Sequence, residues 1–156
     1  QPTTPEQKRP TLIVLLIQKE VAEKICVEDA AKKGDHSVLS LQVQVFGKPE
    51  IVCTVSKSSF FPQPKVDSAV IKIRPYAHPR ITNIETFFKL IKGAFHQKRK
   101  MVSNSIPNAL GLTPQQAEQL FEISKISPTE RPQNISLDGW NNLIQAYEKI
   151  SSISKA

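Results

Sequence analysis

The run Thr11-Leu12-Ile13-Val14-Leu15-Leu16-Ile17 constrains the fold of this chain more than any other stretch. Large aliphatics in unbroken succession predict a strand buried on both faces, as in a parallel sheet covered by helices, because a half-exposed strand would alternate. Such a strand needs neighbours. Gln18-Lys19-Glu20 breaks the run and opens a helical stretch with Val21, Ala22, Ile25 and Cys26 on one face, which gives a strand-to-helix unit. In open α/β sheets the ligand crevice lies beyond the carboxyl ends of the strands, where Gln18, Lys19 and Glu20 fall; the same residues also suit a plain polar helix start.

Further along, Ile51–Val55 and Ala69–Ile73 have the β-branched content of strands, and Gly47-Lys48-Pro49 reads as a turn ahead of the first. Leu39–Phe46 is ambiguous. Leu39, Leu41, Val43 and Val45 alternate as in a strand, whereas Leu39, Val43 and Phe46 also share a helical face. Residues 1–10, with Pro2, Pro5 and Pro10, have linker composition. Beyond Pro75 the character is helical. Thr82-x-x-Glu85 reads as a capping box before Ile84, Phe87, Phe88, Ile91 and Phe95, with Lys98, Arg99 and Lys100 extending that helix. Thr113-Pro114-x-Gln116 opens another helix after a stop at Gly111, and a last one begins near Ser136 with Trp140, Leu143, Ile144, Tyr147 and Ile150 as a core stripe. The chain thus divides near residue 76 into an α/β part and an all-α part. Three strands do not make a stable doubly wound sheet, so the α/β part reads as incomplete, with an apolar edge left open.

Between the two later strands lies Ser59-Phe60-Phe61-Pro62-Gln63-Pro64-Lys65-Val66-Asp67. Each proline fixes its own φ and pushes the residue before it into extended conformation, so the loop has few states to lose. A held aromatic at Phe60 beside a cation at Lys65 suits an extruded nucleobase, which needs a face to stack on and a positive charge for its phosphate. The alternative is that Phe60 and Phe61 plug the core at a strand entrance. Charge favours the first reading. Residues 1–56 hold 7 basic and 7 acidic residues, residues 57–100 hold 10 and 2, and residues 101–156 hold 4 and 5, so the whole formal excess of +7 comes from the segment containing this loop and Lys98-Arg99-Lys100.

Other classes are disfavoured. The apolar run at Leu12–Ile17 is far short of the ~20 residues of a membrane span, which points to a cytoplasmic protein without a membrane partner. Cys26 and Cys53 stand alone and read as small buried apolar residues rather than a disulfide or a thiol centre. His36, His78 and His96 lack the partners of a hydrolase triad or a metal site.

Four blocks then carry a resemblance: Ile17-Gln18-Lys19-Glu20-Val21-Ala22-Glu23-Lys24-Ile25, Leu39-Ser40-Leu41-Gln42-Val43-Gln44, Phe60 through Val70, and Ala94-Phe95-His96-Gln97-Lys98-Arg99-Lys100. In order and spacing the chain resembles the C-terminal portion of the ribosomal RNA adenine dimethyltransferase family, nearest its bacterial small-subunit members, over about residues 11–148. The second block departs from the family pattern near His36 and Val38. The resemblance implies a partial Rossmann-like methyltransferase sheet, last strands only, over 11–76, ending in an antiparallel pair, followed by a small all-α rRNA-binding domain over 80–150. It also favours a helix at Leu39–Phe46. It implies S-adenosylmethionine as methyl donor, held by motifs that match nothing here, so a fragment of this extent would be inactive alone. Phe60 matches the aromatic that stacks on the flipped adenine, Lys65 falls near its backbone phosphate, and Lys98, Arg99 and Lys100 would follow rRNA phosphates. The implied partners are ribosomal RNA and the small ribosomal subunit, with no metal and a monomeric full-length enzyme. In such enzymes the exocyclic amine attacks the methyl in line and needs no strong general base, so positioning dominates. Two other readings stay open: a non-enzymatic RNA- or ribosome-binding module, and a relative acting on large-subunit rRNA.

Overall fold

A computed structural model of the chain describes residues 9–27 and 36–153. The linker expected over 1–10 lies, apart from Arg9 and Pro10, outside those residues. Strand β1 (Ile13–Gln18) runs directly into α1 (Lys19–Ile25), and α2 (Val38–Phe46) runs directly into β2 (Gly47–Val55). A loop with a short 3-10 turn at Lys57–Ser59 leads to β3 (Ser68–Pro75), after which come α3 (Ile84–His96), α4 (Val102–Leu110), α5 (Pro114–Ser124) and α6 (Leu137–Ile153).

The three described strands form one sheet in the order β1-β3-β2, with both pairings antiparallel. The antiparallel β2–β3 pair is as expected. The parallel, doubly buried strand at Leu12–Ile17 is not. β1 pairs antiparallel with β3, and Val14 and Leu16 remain 58% and 54% exposed. The physical reason is a lack of neighbours: α1 and α2 cover one face through Ala69 and Ile71 of β3, which pack on Ala22 and Ile25, while Val14, Leu15 and Leu16 meet too little described chain to bury them.

Gly47-Lys48-Pro49 is also not a turn but the start of β2. Gly47 is extended at φ −168°, and a Cβ there would lie 2.9 Å from both the Arg74 carbonyl oxygen and Ile73 Cγ2. The glycine therefore answers a close approach of β3 rather than a turn. Pro49 is tolerated because β2 is an outer strand of the described sheet.

The ambiguous segment is helical. Ser37 caps α2 in a reciprocal arrangement with Ser40, its hydroxyl accepting from the Ser40 N–H at 3.1 Å. Leu41 and Val45, one turn apart, enter the helical core, whereas Val43 packs with the sheet cluster. Alternation in the sequence thus reflects a helix buried on two sides. Gln44, itself buried, donates Nε2 hydrogen bonds to the carbonyls of Ile25 (3.2 Å) and Val27 (2.6 Å), meeting backbone acceptors at the end of α1.

The main core lies among α2–α6, around fully buried Phe87, Leu90, Ile91, Leu120, Trp140 and Leu143. Asn83, not Thr82, caps α3, accepting from the Thr86 N–H at 3.0 Å. The Thr113–Gln116 capping box and the left-handed stop at Gly111 (φ 69°) stand as expected. The connector after β3 is tied to α2 by Tyr76 N–H to Phe46 O (2.8 Å) and Arg80 N–H to Val45 O (3.0 Å), and to α6 by the Arg80–Asp138 ion pair. Of the two cysteines expected to be buried, Cys26 is half-buried and Cys53, facing out of β2, is exposed. Burial, with a smaller effect of Glu50, pushes the Cys26 thiol up. No described helix is long and apolar enough to cross a membrane.

Candidate nucleic-acid interface

Phe60 follows the 3-10 turn, in extended conformation (φ −117°, ψ 148°), with its N–H directed to the Lys57 carbonyl at 3.4 Å. Its side chain is half-buried and belongs to neither buried cluster, so it does not plug the core. Phe61 projects fully into solvent, and the Phe61-Pro62 peptide is cis.

Lys65 lines a cleft of about 390 Å³ with Lys19, Lys57 and Asp67, and with Glu20 and Glu23 of α1. Gln18-Lys19-Glu20 does fall at the carboxyl end of a strand, and two of its members face this cleft. Lys57 was invisible as a candidate because a single lysine in a serine-rich turn carries no pattern.

Lys98, Arg99 and Lys100 do not extend α3. They occupy the exposed turn between α3 and α4, closed by the Lys100 N–H to Gln97 O bond at 2.8 Å, and so they diverge. Lys98 lines a cleft of about 560 Å³ with Glu20, Glu23, Lys24, Phe95 and Gln133, which shares its α1 carboxylates with the Lys65 cleft. Arg99 and Lys100 line a separate groove of about 830 Å³ with Asn104, Asn108 and Arg131. No single surface holds all three cations.

Arg131 joins this groove for a structural reason. Met101 offers no side-chain cap to α4, and the first N–H groups of the helix, from Val102 and Ser103, are instead met by the carbonyls of Glu130 (2.8 Å) and Pro128 (3.1 Å). That docks the 128–131 segment beside the cationic turn. Sequence reasoning missed Arg131 because it lies in a proline-flanked coil with no charge run.

The residues present do not fit a cradle for S-adenosylmethionine. β1 passes into α1 through Gln18 and Lys19 without a glycine-rich turn, and the described glycines, Gly47, Gly93, Gly111 and Gly139, stand singly. Among the described residues no group of three or more His, Cys, Asp or Glu is placed to hold a metal ion. What the arrangement offers is a partly exposed aromatic ring at Phe60 and a cleft lined by Lys19, Lys57 and Lys65.

A sequence profile described as ribosomal RNA adenine dimethylase matches residues 4–149. The chain is 40% identical over 134 residues to "Ribosomal RNA small subunit methyltransferase A" of Nostoc punctiforme, covering 82% of this chain and 44% of that protein. With the protein of the same name from Fusobacterium nucleatum the identity is 36% over 137 residues, covering 86% and 50%. The chain therefore spans about half the length of these curated relatives. Among solved structures, a dimethyladenosine transferase from Plasmodium falciparum superposes with a TM-score of 0.70 at 24% identity over 93% of this chain and 60% of that one. The 23S rRNA methyltransferase ErmE gives 0.65 at 18% identity over 88% and 55%; at these identities both show a shared fold alone. The extent of the profile match and the identity to curated relatives together make this chain a member of the ribosomal RNA adenine dimethylase family.

Proposed function

We propose that this chain is the base-presenting and RNA-binding half of an S-adenosylmethionine-dependent enzyme that dimethylates the exocyclic amine of adenines in small-subunit ribosomal RNA. The observation that carries this reading is the adjacency of the clefts. The Lys65 cleft and the Lys98 cleft are neighbours on α1, both lined by Glu20 and Glu23, so the loop that carries Lys57 and Lys65 and the cationic turn of the helical half flank the same stretch of helix, where Lys19 and Lys24 offset the two carboxylates. An RNA strand lying past α1 would have its phosphates met by Lys65 and Lys98 while one base stacks on Phe60, and Arg99 and Lys100 would meet phosphates only where the RNA turns into their separate groove.

Stacking of this kind contributes about 1–3 kcal/mol per base. The chemistry asks the chain for little else. A neutral aromatic amine sheds its proton after attack, so the protein's part is to hold nitrogen and methyl in line, and rigidity of the Phe60 loop is the relevant property. The bare face of β1 supports a further part of the reading, that the remainder of a methyltransferase sheet covers it in the full enzyme and supplies the cofactor site.

The test is formation of dimethyladenosine in small-subunit rRNA by the full enzyme carrying Phe60→Ala. We expect turnover to fall at least about tenfold, the equivalent of ~1.4 kcal/mol of lost stacking, with an unchanged melting temperature. Phe61→Ala serves as the control and should retain most activity. Normal turnover by Phe60→Ala would remove the stacking role, and absence of any methylation by the wild-type enzyme would favour a binding module instead.

A further inference from the structure

Asp67 connects three parts of the site through two hydrogen bonds. It lies immediately before Ser68, the residue of β3 that is in register with Gln18 of β1 and Val55 of β2, so it sits where β1 and β2 end and β3 begins. Its carbonyl oxygen accepts from the Lys19 N–H at 3.0 Å, at the junction of β1 and α1. Its carboxylate oxygen Oδ1 accepts from the Lys57 N–H at 2.9 Å, at the start of the 3-10 turn. The Lys57 carbonyl in turn faces the Phe60 N–H.

We propose that Asp67 is a positioning residue that fixes the Phe60 ring relative to the β1–α1 junction, acting through the backbone of Lys57. The inference rests on the base-stacking reading above and deepens it, since it names what holds the aromatic in place. The physical case is that, among the described residues, no other hydrogen bond ties the interior of the loop over 56–67 to the rest of the fold. None of its residues up to Val66 is buried, and within the 3-10 turn the bonds are local, from Ser58 N–H to the Ser56 hydroxyl and from Ser59 N–H to Ser56 O. Local bonds fix the shape of the turn but not its place over the sheet. The Asp67–Lys57 bond spans the loop and does fix it. Because the same residue also holds Lys19, the loop and the rim of the crevice move as one body, and Lys19, Lys57 and Lys65 keep their common cleft.

The test compares Asp67→Ala, which removes the acceptor, with Asp67→Asn, which keeps one acceptor oxygen for the Lys57 amide while losing the charge and turning the second oxygen into an NH2 group. Amide hydrogen exchange reads the bond directly. We expect the Lys57 amide to exchange at least about tenfold faster in Asp67→Ala and within about threefold of wild type in Asp67→Asn, while Ile71 in β3 keeps its protection in both. In the full enzyme, kcat of Asp67→Ala should fall about ten- to a hundredfold with KM for rRNA within about threefold, and Asp67→Asn should restore most of it, since a shift of about 1 Å in a reacting group costs up to a hundredfold. Should Asp67→Ala lose Ile71 protection, Asp67→Ser, whose oxygen stops short of the Lys57 amide, takes its place with the same expectations. Unchanged Lys57 exchange without the carboxylate, equal loss in the Ala and Asn forms, or a rise in KM alone would each overturn the proposal. Exchange decides the tether even if wild-type turnover is absent, a result that would count against the functional reading and leave the tether standing.

Discussion

The helical half and the sheet half of this molecule treat their apolar residues in opposite ways. In α3–α6 the residues predicted as a core stripe meet one another: Trp140, Leu143 and Ile144 are buried against Phe87, Leu90 and Leu120 without help from outside the described chain. In the sheet the most apolar stretch of the whole sequence stays exposed at Val14, Leu15 and Leu16. An unbroken aliphatic run reports that a strand is meant to be covered. It says nothing about whether the cover lies in the same segment. The helical half has a finished core, and the sheet half presents a surface and an edge that other structure would complete, consistent with a chain spanning about half of its curated relatives.

The contrast is sharpest in its largest predicted effect. Trp140→Ala should cost about 3–5 kcal/mol of unfolding free energy in chemical denaturation, because it empties the centre of a closed core. A loss under 1 kcal/mol would mean that the helical half is as loosely completed as the sheet. Within the sheet, Gly47→Ala should cost about 1–3 kcal/mol, since the added methyl meets, besides Ile73 Cγ2, the backbone oxygen of Arg74, which cannot swing aside. Leu16→Ala should change the stability of this chain by less than about 0.5 kcal/mol, as for other exposed positions. In the full enzyme the same change should cost about 2–5 kcal/mol if the face is covered there, and equal small effects in both settings would mean that the face stays bare.

The smallest effect concerns Glu50. Hydrogen bonds from Lys72 (2.9 Å) and Lys48 (3.3 Å) hold its carboxyl below the usual glutamate range. Its folded value is lower than its unfolded one, so the stabilisation it gives is full above the ordinary value of about 4.3 and is lost as pH falls through the folded value. Glu50→Gln should therefore be slightly less stable than wild type near neutrality and converge with it in acid. A gap that does not shrink in acid would show that it does not come from the charge of Glu50.

How much of this was legible in the sequence depended on whether the determining contact was local. The Thr113–Gln116 box and the Gly111 stop were readable because a cap needs only a few neighbouring residues. Gly47 was misread because the backbone it must avoid belongs to Arg74, on another strand. The helix at Val38–Phe46 was not decided by its own pattern, since burial against two different layers produces alternation in a helix as well as in a strand. The candidate site follows the same rule. The cationic block at Lys98–Lys100 was visible as charge, but its divergence onto two surfaces comes from a turn, and the addition of Arg131 comes from backbone carbonyls docking on α4.

The proposed RNA path runs across both halves, from the Phe60 loop to the α3–α4 turn. It is tested most directly by the salt dependence of rRNA affinity in Lys65→Ala, Lys98→Ala and the double variant. Each single change should lower the slope of log K against log salt by about 0.7–0.9, and the pair by about twice that, because on this path each lysine releases a counterion from the same strand. A slope that responds to Lys98 and ignores Lys65 would confine the RNA to the helical half and contradict it.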